Sequence, residues 1–345
     1  MTKLEQGSRA FGVVLMLALS AGCGGSQPPI SASDSVTRVS ENVTPRLLNG
    51  SPPNRVEGSW ANPKYKVAPA LVFIVNFSSQ SGAGNVVVYN PKKNDPNPLA
   101  AITAGISSPN GDCVDASGTV YVGNDGGGPG WISEYTAGET KPFKTITDGI
   151  DGPAFCTIDA KGNLWVTNNG GTPNVTEYLE GSTKPHTTIT KGLTYPIGIA
   201  IDREGNVYVG NHVLYGSANV QVYPPGSKSP ARTITDGVVW PTGIAVDAKS
   251  TLYVANDAPP CDVEEYRVGQ AHPYKDITAG INGPTGLSVG KNGRLYVSNE
   301  GLQGCSGPWP VLLEFQPGSL KPSRMMISKG LQTPVGNAHF PPLLP

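Results

Sequence analysis

From about residue 70 the chain is built from short apolar runs punctuated by Gly, Pro, Asn and Asp, and the runs recur in a fixed order. A Pro opens a strand-like segment such as Gly-Ile-Ala-Val-Asp, and a turn follows. An aromatic-Val-x-Asn strand comes next, then a strand ending in Tyr, and the unit returns to Ile-Thr. The clearest copy is ITDGVVWPTGIAVDAKSTLYVAN, from Ile234 to Asn256; near-copies begin at Ile102, Ile146, Ile189 and Ile277, with a partial one at Ile327.

A repeat of about 44 residues made of several short strands predicts a β-propeller, because a single blade cannot bury both faces and must stack with its neighbours. Aligning the copies on the Asn that ends the second strand gives Asn76, Asn124, Asn168, Asn211, Asn256 and Asn299. Three residues before each stands an aromatic: Phe73, Tyr121, Trp165, Tyr208, Tyr253 and Tyr296. Third strands end in Tyr89, Tyr135, Tyr178, Tyr223, Tyr266 and Phe315, usually followed by a hairpin of the GSTKP kind (Gly181 to Pro185).

The two terminal copies are incomplete in complementary ways. The first begins at its second strand (Leu71 to Asn76) and the last stops after its inner strand (Pro334 to Phe340). Together they make one blade, which predicts an all-β ring of six four-stranded antiparallel blades closed by strands from both chain ends. The domain is expected over 68–345.

The first 67 residues read differently. Lys3 and Arg9 precede an apolar stretch from Phe11 to Leu19, then Ser20-Ala21-Gly22-Cys23, which resembles a bacterial lipoprotein signal. Ser20 stands where such signals favour Leu. Residues 1–22 are expected to be the signal peptide, with lipid on Cys23; an ordinary secretory signal or an uncleaved anchor are the alternatives. Residues 23–67, rich in Gly, Ser, Pro and Asn, should tether an exported domain to the membrane of a bacterial cell envelope, on its periplasmic or cell-surface side.

Composition changes little of this. Gly (44) and Pro (33) would suggest disorder if aperiodic, but here they fall at fixed offsets as turn punctuation. The 25 basic and 26 acidic side chains nearly cancel, and no basic run is present, so nucleic acid is not an expected partner.

Residues repeated in every blade are read as structural. The Asn ring caps loops, Asp115, Asp159, Asp202 and Asp247 open Asx turns, and the aromatic ladders pack between blades. Function is sought where the repeat breaks. Three positions after the inner-strand Pro stand Cys156, Ile199, Ile244 and Leu287 in four blades, but Asp112 and Asn337 in the two that meet at the ring closure. With Asn110 and His339 they form a candidate ligand-binding cluster near the channel, the alternative being a self-satisfied polar plug.

Four cysteines remain after Cys23, an even number in an exported protein. Position in adjacent blades pairs Cys113 with Cys156 and Cys261 with Cys305; free buried thiols are the alternative. Trp131 and Trp309, in or beside the variable loops between second and third strands, are candidate rim contacts, or covers for blade edges.

Phrases such as PIGIAIDREGNVYVGN and PTGIAVDAKSTLYVAN resemble NHL-type repeats of six-bladed propellers, and the resemblance spans about Ala68 to Phe340. That superfamily includes regucalcin and gluconolactonase enzymes and virginiamycin B lyases. In the lactonases the resemblance implies a divalent cation held by a Glu, an Asn in Pro-Asn-Gly and an Asp. Pro109-Asn110-Gly111 matches the Asn motif, but Ala154, Ile197, Thr242, Thr285 and Val335 stand at the corresponding positions, so the ligand set is incomplete. For a lyase base only His212 and His339 lie near the axis, since His186 and His272 fall in outer hairpins. The expectation is therefore a non-catalytic binding or scaffold propeller, monomeric, without metal or cofactor, whose partner is an envelope protein, a glycan or a small ligand. A metal-dependent lactonase- or lyase-like enzyme is the alternative.

Overall fold

The computed structural model describes residues 70–340 except 78–83, 93, 213–217, 291 and 302–304. The signal peptide, Cys23 and the tether lie outside the described residues. The remainder forms six four-stranded antiparallel sheets around an axis. Blade I contains the chain ends: Pro334–Phe340 is its inner strand, followed outward by Leu71–Asn76, Asn85–Tyr89 and Ala100–Ile102. Blades II to VI follow in chain order, with inner strands Pro109–Val114, Pro153–Ile158, Pro196–Ile201, Pro241–Val246 and Pro284–Val289.

The closure expected from the terminal half-copies is present: Leu71 pairs with Phe340, Val72 with His339, Phe73 with Ala338 and Ile74 with Asn337. Core side chains lie between blades rather than within them. Ala245, Tyr253 and Ala255 of blade V pack with Leu287, Leu295 and Val297 of blade VI, and Cys113 and Tyr121 of blade II pack with Ile158 and Leu164 of blade III. Each interface buries apolar surface that neither blade could bury alone.

The repeated polar residues hold the chain where it crosses from one blade to the next. Asn256 Oδ1 accepts the Val239 amide (3.1 Å) while its Nδ2 donates to Gly237 O (2.7 Å), and Asn211 does the same with Thr194 N (3.0 Å) and Gly192 O (2.9 Å). The third-strand tyrosines donate to the same crossings: Tyr178 to Asp148 O (2.6 Å), Tyr223 to Lys191 O (2.8 Å) and Tyr266 to Asp236 O (2.7 Å). On the opposite face, Asp115, Asp159 and Asp247 close Asx turns, Asp247 Oδ1 accepting the amides of Lys249 and Thr251 (both 2.8 Å).

Neighbouring inner strands approach closely at the residue two after the Pro. At Gly243 a Cβ would stand 2.5 Å from Thr285 O, so a side chain there would force the blades apart. Blade III carries Phe155 at this position instead, and the ring turns into the axial cavity.

Both cysteine pairs are bonded. Cys113 and Cys156 join the inner strands of blades II and III with Cα atoms 5.7 Å apart, and Cys261 and Cys305 join loops of blades V and VI at 5.9 Å. Two such bridges belong to a protein that works in an extracellular or periplasmic compartment.

Candidate functional site

The inner strands line the axis, and the channel has two chemically distinct halves. Toward the face of the Asx turns lies a cavity of about 150 Å³, walled by the third to fifth residues after the Pro in all six blades. At ~10–15 Å³ per water it has room for several waters. Most of the wall is aliphatic: Val114, Ile158, Ile199, Ile244, Leu287 and Val289.

Asp112, Asn337 and His339 stand together in this wall, brought there by the ring closure. Neither carboxylate oxygen of Asp112 has a hydrogen-bond partner, and burial holds its pKa well above the usual carboxylate range. His339 stacks against Tyr296 with ring centroids 4.3 Å apart; its Nε2 is unpartnered, and burial lowers its pKa to about 3. At neutral pH the cavity therefore holds a neutral imidazole beside a carboxyl group whose protonated form burial favours. Asn337 is satisfied: Nδ2 donates to Ser298 Oγ (3.0 Å) and Oδ1 accepts from Ser288 Oγ.

Asn110 is not part of the wall. Its Nδ2 donates across the blade boundary to Pro153 O at 2.9 Å. Thr242 and Thr285, at the same position in their blades, donate to Pro284 O and Pro334 O, each at 2.8 Å.

The other half of the channel carries a ring that the repeat alignment passes over, formed by the residue immediately after each second-strand Asn: Phe77, Asp125, Asn169, His212, Asp257 and Glu300. Each donates its backbone N–H to the carbonyl of the residue before the inner-strand Pro, as from Asp125 to Ser108 O (3.1 Å), His212 to Tyr195 O, Asp257 to Trp240 O and Glu300 to Gly283 O (each 2.9 Å). This repeated bond fixes the six side chains at the channel mouth. Tyr195 has its pKa raised by burial and also by the charge of Asp125, although blade III lies between their blades, so both reach toward the axis.

Five of the six are polar and three are acids: Asp125 and Glu300 are buried, Asp257 is half-buried, and Asp257 and Glu300 stand on adjacent blades. Burial first, and then the charge of Glu300, hold Asp257 well above the ordinary carboxylate range; burial pushes Glu300 up to about 8. Asp257 Oδ1 and Asn169 Nδ2 have no hydrogen-bond partner. His212 packs between Tyr195 (5.8 Å) and Trp240 (4.7 Å), and burial lowers its pKa to about 4. The sequence signal for this ring was one position beyond the Asn used for alignment: acids and an imidazole where a buried loop residue would ordinarily be small or apolar.

The Cys261–Cys305 bridge joins the loops that follow Asp257 and Glu300. Trp309, in the same blade VI loop, lies over Gly301 with no room for a Cβ beneath the ring, yet keeps 59% of its surface exposed. Trp131 covers Gly126 in the same manner but is half-buried, with Nε1 donating to Ser133 Oγ (3.0 Å). Of the two rim candidates, Trp309 is the one open to solvent.

No family model matches the sequence, and no curated protein does. The fold is similar to solved structures. A chain of a nidogen/laminin complex aligns with a TM-score of 0.61 at 14% identity, covering 78% of this chain and 98% of that one. A protein of unknown function from Bacteroides caccae aligns at 0.62 and 13% identity, covering 79% and 98%. At such identities the likeness is one of fold, and it agrees with a six-bladed propeller.

Proposed function

We propose that this protein is an exported, lipid-anchored propeller of NHL type that acts as a non-catalytic binding module, using the face that carries the loops between second and third strands. The observation that carries this reading is the Cys261–Cys305 bridge beside the exposed Trp309. A cross-link between loops of neighbouring blades fixes a surface before any partner arrives, and an open aromatic on a fixed surface is a favoured anchor for recognition. That one structural neighbour comes from a complex of two proteins accords with a binding role for the fold.

The testing experiment is chemical crosslinking in the native envelope followed by identification of the partner. One specific partner is expected, with recovery lost on Trp309→Ala while the variant keeps its fold. No partner, or one indifferent to Trp309, overturns the reading.

A second reading is favoured by the unpartnered Asp112 and His339: a site for a small polar ligand in the axial cavity, the position an enzyme of this architecture would use. Turnover of a lactone by the purified protein, abolished by Asp112→Ala with the fold intact, would decide for it.

A further inference from the structure

Blade V breaks the repeat a second time, away from the axis. The first and third residues of each third strand and the fourth-strand residue paired with the latter lie together on one blade face. In blades I to IV and VI these sets are Asn85, Val87 and Ala101; Trp131, Ser133 and Thr145; Asn174, Thr176 and Thr188; Asn219, Gln221 and Thr233; and Val311, Leu313 and Met325. None contains an acid. In blade IV the three bond to one another, Thr233 Oγ1 donating to Gln221 Oε1 (2.8 Å) and Gln221 Nε2 to Asn219 Oδ1 (3.1 Å).

In blade V the set is Asp262, Glu264 and Asp276, with Glu264 directly opposite Asp276 in the sheet. One oxygen from each lies within 4.8 Å of the others. Among the described residues no basic side chain forms an ion pair with any of them: Lys275 goes to Glu265 (3.1 Å) and His272 to Asp236 (2.7 Å). Like charges directly opposite in a sheet are destabilising.

A second, independent feature points to a ligand. Glu264 keeps 9% of its surface, and its Oε2 is buried without a hydrogen-bond partner. In blades II and III the residue at this position donates a hydroxyl to a glycine carbonyl, Ser133 to Gly105 O (2.8 Å) and Thr176 to Gly149 O (3.3 Å). Glu264 lies against the equivalent Gly237, where a Cβ would come within 3.1 Å of Oε1, and brings a carboxyl group where blades II and III bring a hydroxyl donor. Carboxylate oxygens so gathered are the environment of a hard cation.

We infer that Asp262, Glu264 and Asp276 bind one divalent cation of the calcium class on the outer half of blade V. Three oxygens within 4.8 Å of one another need side-chain shifts of only a few tenths of an ångström to share one ion at the ~2.4 Å of a calcium–oxygen bond. Asp262 is anchored by Asn256 Nδ2 (2.6 Å), and Asp276 is exposed, giving the ion a path in and room for water ligands. Burial first, and then the charge of neighbouring acids, raise the pKa values of Asp262 to about 6 and of Glu264 to about 7. Sites of this kind in extracellular modules bind calcium with dissociation constants of about 0.1–1 mM.

The test uses the intact chain, stripped with EDTA and titrated calorimetrically with CaCl2, with thermal unfolding in parallel. One calcium per chain and a raised Tm are expected. Asp262→Asn, Glu264→Gln and Asp276→Thr together install the set of blade IV; this triple variant should bind no calcium and, in EDTA, melt above the wild type. Glu264→Gln alone, which keeps the side chain's shape, should weaken binding at least tenfold. No calcium heat up to about 10 mM, or binding undiminished in these variants, overturns the inference.

Discussion

Asn110 donates its side-chain amide to the carbonyl of Pro153 in the next blade at 2.9 Å, the same inter-blade bond that Thr242 and Thr285 make from the same position. Asn110→Ala leaves that buried carbonyl unsatisfied and should cost about 1–3 kcal/mol in a denaturant titration, whereas Asn110→Thr should restore most of it. Equal loss in both variants would contradict a strapping role.

His339 is held neutral by burial, its pKa lowered from 6.5 to about 3. The unfolded chain takes up this proton first as pH falls, so the associated stability is present above pH 6.5 and is lost as pH drops toward 3. Between pH 7 and pH 5 the loss should be about 2 kcal/mol. His339→Gln should flatten that limb of the pH–stability curve.

Glu300 has the opposite sign. Its folded pKa, raised from 4.5 to about 8, means that the native state binds the extra proton, so stability is greatest below pH 4.5 and falls as pH rises through 8. Glu300→Gln should therefore be more stable than the wild type at pH 8 and nearly equal to it at pH 4.5, measured by urea unfolding at each pH.

Removing residues 334–345 deletes the inner strand of blade I and uncovers Val72 and Ile74, both fully buried in the intact ring. The truncated chain should lose its cooperative thermal transition, because the seam then presents an open sheet edge and an apolar face.

Much of this was legible in the sequence, and the reason is periodicity. Six aligned Asn residues, six aromatics and two complementary half-copies specify blade number and closure, and the register of Leu71 against Phe340 follows from them. Cysteine spacing of one repeat likewise put Cys113 beside Cys156 and Cys261 beside Cys305. The breaks were harder, since a departure shows where a side chain differs but not where it points. Asp112, Asn337 and His339 all line the axial cavity, while Asn110, close to Asp112 in sequence, bonds to the neighbouring blade, the strand's register shifting between Pro109 and Asp112. The ring containing Asp257 and Glu300 was hidden because its members are of five residue types over six blades, and what they share is a backbone hydrogen bond. The acids of blade V needed cross-strand pairing to bring Asp276 onto Glu264.

The most direct measurement of the binding account places a photo-crosslinking amino acid at position 309, on the loop face, or at position 249, in a turn on the opposite face, in cells expressing the full chain. The account predicts one discrete adduct from position 309 and none from position 249. Adducts from position 249 alone, or the same adducts from both, would contradict it.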